Sequence, residues 1–285
     1  MIYISTGGFK YQTAYKTSKF LAENGFLAIE LSGGIYEKNQ LKKLKDLQTK
    51  YDIQFKVHNY FPPPLNPFVF NLGSLNKDIA RLSIQHVKNA IDYSKELRSD
   101  VYSFHAGFLL DPGVSELGET ISSRQLYDRT EAMKVFIERV NDLSIYALSK
   151  KVSLLIENNV ISSSNYKQFF GDPLLMTNKS ECIYIMENTP SNVNLLVDVG
   201  HLKVSSQSLG LDAILFLTKC KKWIKAYHFS ENNGMEDENK EFDSNSWFWP
   251  HIINGLDYYS LEVYTSSLNV LSGQCELAEA KVLKS

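Results

Sequence analysis

The sequence predicts an α/β protein folded as a single (β/α)8 TIM barrel over residues 1–285, and three observations carry that expectation. Eight short apolar runs, each the length of a buried parallel strand, recur from one end of the chain to the other. Longer amphipathic stretches separate them without interruption, and such alternation implies parallel strands joined by right-handed crossovers. No GxGxxG follows the first run, where Gly7-Gly8 stand alone. An open doubly wound sheet is therefore the second choice.

Ile2–Ser5 is the first run, and Ala14–Asn24 follows as a helix stopped by Gly25. Phe26–Leu31 leads into Gln40–Tyr51, a Lys-rich helix with Leu41, Leu44 and Leu47 on one face. Ile53–His58 precedes Lys77–Arg98, where Ile79, Leu82, Val87, Ile91 and Tyr93 supply the apolar side. Val101–His105 precedes Ser123–Lys150, the longest expected helix, with Met133, Phe136, Ile137, Val140 and Ile145 at helical spacing. Val152–Glu157 precedes Lys179–Asn188, and Val193–Asp198 precedes Ser206–Trp223. Ile224–His228 precedes a short helical piece near Trp247–Asn254, and Tyr258–Val263 precedes Ser266–Lys284. Irregular stretches are longest after the third, fifth and seventh runs, where a barrel carries its active-site loops.

Hydrophobic residues make up 44% and charged residues 22% of the 285, an ordinary globular composition. A chain this long buries roughly three quarters of its unfolded surface and needs no staples. Lys+Arg number 30 against Asp+Glu 32, a net charge of −2, so there is no general pull toward nucleic acid or anionic membrane. Cys182, Cys220 and Cys275 are far apart and form no CxxC, which reads as three free thiols in a reducing setting. The first residues carry no leader pattern, and no apolar run reaches the ~20 residues that span a bilayer. A cytoplasmic location is expected.

The ends of the runs carry the chemistry. Glu30, His58, His105, Glu157, Asp198, His228 and Glu262 each stand at or near the close of a run, with His201 just beyond Asp198. A parallel barrel brings all strand C-termini to one rim, so these residues converge although they are distant in sequence. Carboxylates and imidazoles gathered there are the usual ligands of Zn²⁺, Mn²⁺ or a related cation. Singly, each has a plain explanation: a His after a strand is commonly a hydrogen-bonded loop residue, and a Glu is commonly solvated. Repeated over several strands the pattern asks for more, because an ionised carboxylate among apolar residues costs roughly several kcal/mol unless paired or metal-bound.

These residues and their contexts resemble the xylose-isomerase-like barrel superfamily. That group holds sugar and sugar-phosphate isomerases and epimerases, and the endonuclease IV type of abasic-site nuclease. The resemblance rests on Ile29-Glu30-Leu31, Val57-His58-Asn59-Tyr60, Phe104-His105-Ala106-Gly107, Ile156-Glu157-Asn158-Asn159, Val197-Asp198-Val199-Gly200-His201, His228-Phe229-Ser230-Glu231-Asn232 and Leu261-Glu262-Val263. It implies, from the epimerase branch, one divalent cation (Mn²⁺, Zn²⁺, Co²⁺ or Mg²⁺) held by Glu157, Asp198, His228 and Glu262. Glu157 and Glu262 would also move the substrate proton, and His201 would bind substrate. From the nuclease branch it implies a second metal or a substrate contact at His58 and His105, and Phe70-Asn71-Leu72-Gly73-Ser74 is similar to a nuclease segment. Glu30, Glu231 and Asp237 complete the candidates for substrate contact. Two positions depart from the pattern: Asn239 stands where the nucleases carry a third-metal His, and Glu231 where these families often carry Asp.

The resemblance implies an isomerase or epimerase of a small sugar or sugar phosphate, with Gly7-Gly8-Phe9-Lys10-Tyr11 and the Tyr60–Phe68 segment closing the pocket. A nuclease is the alternative, and nucleic acid fits poorly: across Glu231–Asp243 the acids Glu236, Asp237, Glu238, Glu241 and Asp243 outnumber Lys240. A dehydratase or lyase would use the same base and cation, whereas a barrel that only binds a ligand would not need two glutamates and a metal set. Trp247-Phe248-Trp249-Pro250 suits a pocket entrance, a subunit interface of a homo-oligomer, or a hydrophobic plug. His86 and His251 lie off the strand ends and are left out of the site.

Overall fold

Eight parallel strands close into a barrel in chain order in the computed structural model, which describes residues 1–9 and 12–282. They are β1 (Ile2–Ser5), β2 (Ala28–Ser32), β3 (Gln54–His58), β4 (Val101–His105), β5 (Ser153–Glu157), β6 (Val193–Asp198), β7 (Ile224–Phe229) and β8 (Tyr258–Leu261), with β8 paired to β1. All eight apolar runs of the sequence are strands, displaced by a residue or two at their ends. Residues 10 and 11 of the expected β1 lid, and the end of Ser266–Lys284, lie outside the described residues.

Around the barrel run α1 (Ala14–Glu23), α2 (Gln40–Tyr51), α3 (Lys77–Glu96), α4 (Arg129–Ser149), α5 (Ser163–Phe169), α6 (Lys179–Glu187), α7 (Val199–Leu209), α8 (Ala213–Cys220) and α9 (Leu268–Val282). Outward strand residues such as Ile29, Val57, Phe104, Ile156 and Val197 are fully buried beneath them and form the main core. No helix among the described residues is long and apolar enough to cross a membrane.

Four expectations need correction. The expected helix Ser206–Trp223 is two helices: α7 starts directly after Asp198 and ends at Gly210, which takes a left-handed φ of 65°. Asp212 then caps α8 by accepting from the Ile214 and Leu215 amides. The expected helix Ser123–Lys150 starts only at Arg129, capped by Asp128, so the loop after β4 extends over 106–128. α5 is an addition within the irregular stretch after β5; its polar sequence SSNYKQF gives no apolar stripe, and the Ser162 cap makes it. The piece near Trp247–Asn254 is only a 3-10 turn, Trp249–His251.

Inside the barrel a small apolar layer of Tyr3, Leu155, Leu196, Ala226 and Tyr258 forms the floor. One irregularity sets the level of the residues above it. Leu195 pairs Ile224 but Leu196 pairs Ala226, so exposed Lys225 is skipped. Without that extra residue Asp198 would face Tyr227, which points outward; with it Asp198 is level with His228 and both point inward.

Candidate metal centre

Strand register alone brings the rim residues together. His105 pairs Glu157, Asp198 pairs His228, and His58 pairs both Ser32 and Ser103. Side chains alternate along a strand, so these residues all face the barrel axis. Glu30, Glu157, Asp198 and His228 are 0% exposed, and His58, His201 and Glu262 no more than 6%.

Glu157 is the hub. Its Oε2 lies 3.4 Å from His58 Nε2 and 3.3 Å from His105 Nδ1. Its Oε1 lies 3.3 Å from His228 Nδ1 and 3.5 Å from His201 Nδ1. The same His228 Nδ1 is 3.5 Å from Glu262 Oε1 and 3.9 Å from Asp198 Oδ2. Carboxylates from β5, β6 and the end of β8 thus meet at one imidazole nitrogen. Neither oxygen of Glu157 has a hydrogen bond, nor do Asp198 Oδ2, His105 Nδ1 and His228 Nδ1. Buried groups left in this way are costly unless something else binds them.

Three sets of ligand atoms lie within 4.8 Å of one another: His58 with His228 and Glu262, His58 with His105 and Glu157, and Glu157 with Asp198 and His201. The donor types and the lack of internal hydrogen bonds fit a divalent cation. The quartet Glu157, Asp198, His228 and Glu262 is spread across these sets, with Glu157 and His58 shared between them.

Charge in the protein alone is divided unevenly. Burial works against the Glu157 carboxylate, but the imidazoles of His105, His58 and His228 hold it well below the usual carboxylate range. Burial pushes Glu262 well above that range, and Glu157 and Asp198 add to the push against His228. Burial likewise raises Asp198 to about 6, with Asp237 and Glu157 adding and His201 opposing. Burial lowers His105 to about 3, while His228 and His201, which burial would lower, are held well above 6.5 by their carboxylate neighbours.

The remaining candidates occupy different places. His201 Nε2 is 3.2 Å from Asp237 Oδ2, and Asn239 Nδ2 donates to the same oxygen. Asp237 Oδ1 and Asn239 Oδ1 have no hydrogen bond. Glu30 sits beneath the centre, its Oε2 2.8 Å from His228 Nε2. Glu231 is engaged by Lys203 Nζ at 2.6 Å. Asn71 clamps the loops after β3 and β4 by donating to Phe108 O and Leu110 O while accepting from the Gly73 and Phe108 amides. His86 stacks on Phe70 at 5.2 Å and is part of the β3-side wall. The Trp247–Trp249 segment packs inward: Phe248 is 0% exposed and stacks on Phe229 at 5.5 Å.

Sequence reasoning missed four residues. Ser5 Oγ donates to Glu262 Oε1 at 3.3 Å. Asn158 pairs with the Asp198 backbone on both sides, donating to its carbonyl and accepting from its amide. Tyr258 and Ser103 lie behind the histidines. Only inward parity signals Ser5, Ser103 and Tyr258; Asn158 carries the weak signal of following Glu157.

Residues 19–261 match the family described as xylose isomerase-like TIM barrel, and the chain belongs to that family. A protein of Methanocaldococcus jannaschii, named as uncharacterized, is 25% identical over 221 residues, which cover 76% of this chain and 66% of that one, just under two thirds of its length. The solved structure of a D-tagatose 3-epimerase-like protein has a TM-score of 0.73 at 20% identity, covering 99% of this chain and 97% of that one. That of an L-ribulose 3-epimerase has a TM-score of 0.67 at 15% identity, covering 99% and 91%. At these identities the structural likeness is one of fold.

Proposed function

We propose that the protein is a divalent-metal-dependent isomerase or epimerase of a small sugar or sugar phosphate. One observation carries the reading: Glu157 and Glu262, from β5 and the end of β8, reach the same imidazole nitrogen at 3.3 and 3.5 Å. Two carboxylates that reach one point from different strands can act on opposite sides of a substrate carbon, one taking a proton and the other returning it. A cation held by Glu157, Asp198, His228 and Glu262 would polarise the substrate carbonyl and offset the charge that develops on its oxygen. The chain's own groups do the rest. Glu157, held ionised by its imidazoles, takes the proton from the carbon next to the carbonyl; the C–H electrons form the C=C bond of a substrate enediolate. Glu262, reaching the same point from the end of β8, passes a proton back to carbon. Ser5 orients Glu262 through its hydroxyl, and His201, oriented by Asp237, faces the substrate oxygens. That solved structures of like fold are named as sugar 3-epimerases supports the substrate class.

The test is a screen of keto- and aldo-sugars, free and phosphorylated, for solvent-deuterium uptake with Mn²⁺, Zn²⁺, Co²⁺ or Mg²⁺ present and with chelator. Ion-dependent exchange next to the carbonyl is expected for at least one sugar. No exchange in the whole panel would remove the reading.

A second reading draws on His58 and His105, which converge on the Glu157 oxygen opposite to that facing His228 and His201. A carboxylate with one oxygen toward each of two imidazole groups suits a two-ion centre, and two-ion centres hydrolyse phosphodiesters. The acidic loop after β7 disfavours a polyanion such as DNA. Metal-dependent nicking of abasic duplex DNA would make this the primary reading; a dehydratase or lyase would show instead as loss of water from the sugar.

A further inference from the structure

His58 and His228 turn different nitrogens toward the centre. His228 presents Nδ1, and its Nε2 lies 2.8 Å from Glu30 Oε2. His58 presents Nε2, and its Nδ1 lies 3.0 Å from Ser103 Oγ. Ser103 Oγ is 3.3 Å from Tyr258 Oη, and Tyr258 Oη donates to Glu30 Oε2. The rear nitrogens of two rings on different strands therefore lead to one carboxylate oxygen, directly for His228 and through two hydroxyls for His58. The rings themselves meet edge to face at 4.7 Å.

The carboxylate at the end of the chain fixes the direction of the first hydrogen bond and favours one direction for the rest. A carboxylate only accepts, so Tyr258 spends its proton on Glu30. Its oxygen then has only lone pairs to offer Ser103. The Ser103 hydroxyl donates to Tyr258 Oη or to Val57 O at 3.5 Å. With its proton spent there rather than on His58, its oxygen accepts from His58 Nδ1–H, and this arrangement leaves His58 Nε2 bare toward the centre. The Tyr258 ring is held from below by Lys56, whose Nζ lies 5.5 Å from the ring centroid and pairs with Asp100 at the barrel floor.

We infer that Glu30 is a positioning residue that sets the tautomers of both histidines in opposite senses, Nε2–H for His228 and Nδ1–H for His58, so that each offers a bare nitrogen to the centre. The inference rests on the metal-centre reading above. A carboxylate behind a ligating imidazole fixes ring orientation and raises ligand basicity, and its loss typically costs roughly 10–100-fold in metal affinity. One carboxylate doing so for two rings makes Glu30 and Tyr258 parts of a single device.

The test uses Zn²⁺-loaded protein labelled with ¹⁵N-histidine and long-range ¹H–¹⁵N correlation spectra, which assign the protonated ring nitrogen of each His. Wild type is expected to show Nδ1–H at His58 and Nε2–H at His228. Tyr258→Phe keeps the ring and cuts the longer route; His58 is expected to lose its single-tautomer signature while His228 keeps it. Glu30→Gln is expected to disturb both and to weaken Zn²⁺ roughly 10–100-fold by chelator competition. Nε2–H at His58 in wild type, or an unchanged His58 in Tyr258→Phe, overturns the inference and leaves the metal centre standing. Failure of wild type to bind Zn²⁺ removes the centre and the inference together.

Discussion

Glu30 and Glu157 are both glutamates with 0% exposure inside one barrel, yet they lead opposite lives. Glu30 Oε2 is satisfied by His228 and Tyr258 while its Oε1 has no hydrogen bond, and despite burial these contacts hold its carboxyl at about 2. Glu157 has imidazoles on every side and no hydrogen bond at either oxygen. The difference separates two uses of a buried acid. One spends an oxygen on a network that orients other groups; the other has both oxygens left for something the chain does not supply. Glu157 pairs directly with His105, whereas on β2 it is Ser32, two residues beyond Glu30, that pairs with His58.

The comparison breaks most visibly in catalysis. Glu157→Gln and Glu262→Gln are each expected to cut deuterium exchange by roughly 10²–10⁴-fold, the range for a lost general acid or base. Exchange persisting in either variant, measured by NMR, reassigns the proton transfer. Stability should split the two glutamates the other way. Glu30→Gln breaks a buried pair and is expected to cost about 3 kcal/mol by denaturant unfolding already in chelator. Glu157→Gln is expected to lose in addition the stabilisation that a saturating cation gives wild type, about 2.7 kcal/mol at 100 Kd, so that its unfolding no longer responds to added cation. Equal behaviour of the two variants would erase the distinction.

A histidine outside the centre sharpens the same point with pH. His86 is buried against Phe70, its Nε2 donating to Asn59 O, and burial lowers it to about 4. Between pH 4 and 6.5 the unfolded chain holds the extra proton, so stability is full above about 6.5 and is lost as pH falls through about 4. That contribution is about 3 kcal/mol. Comparing melting curves across this range, wild type should lose more stability than His86→Gln; parallel curves would contradict the assignment. A smaller effect is expected at Gly200 in the first turn of α7. Ala there normally stabilises a helix by about 1 kcal/mol. Here its Cβ would meet Ser230 Oγ at 2.5 Å and Asp198 Oδ1 at 3.1 Å. Gly200→Ala is expected to lose about 1–2 kcal/mol and to weaken cation binding by moving Asp198; a rise in Tm would show that the pocket gives way.

Much of the fold is legible in the sequence. Buried parallel strands are apolar runs, so all eight appear in the sequence, and their C-terminal polar residues converge by topology alone. That rule and the family resemblance are what put Glu157, Asp198, His228 and Glu262 forward as the proposed ligands. Where the signal is not local, the sequence is silent. The Gly210 break between α7 and α8 is masked by continuing apolar spacing across Ser206–Trp223, and α5 has no apolar stripe to read. The skipped Lys225, which turns Asp198 and His228 to the same side, is a property of two paired strands. The Glu30–Tyr258–Ser103–His58 chain joins residues from four strands, and nothing in any one segment announces it.

The account rests on Glu157, Asp198, His228 and Glu262 holding a divalent cation, and calorimetric titration of chelator-treated protein with Mn²⁺ or Zn²⁺ tests it most directly. About one or two ions per chain should bind to wild type, with binding lost in Asp198→Asn. No binding to wild type, or undiminished binding to Asp198→Asn, would contradict it.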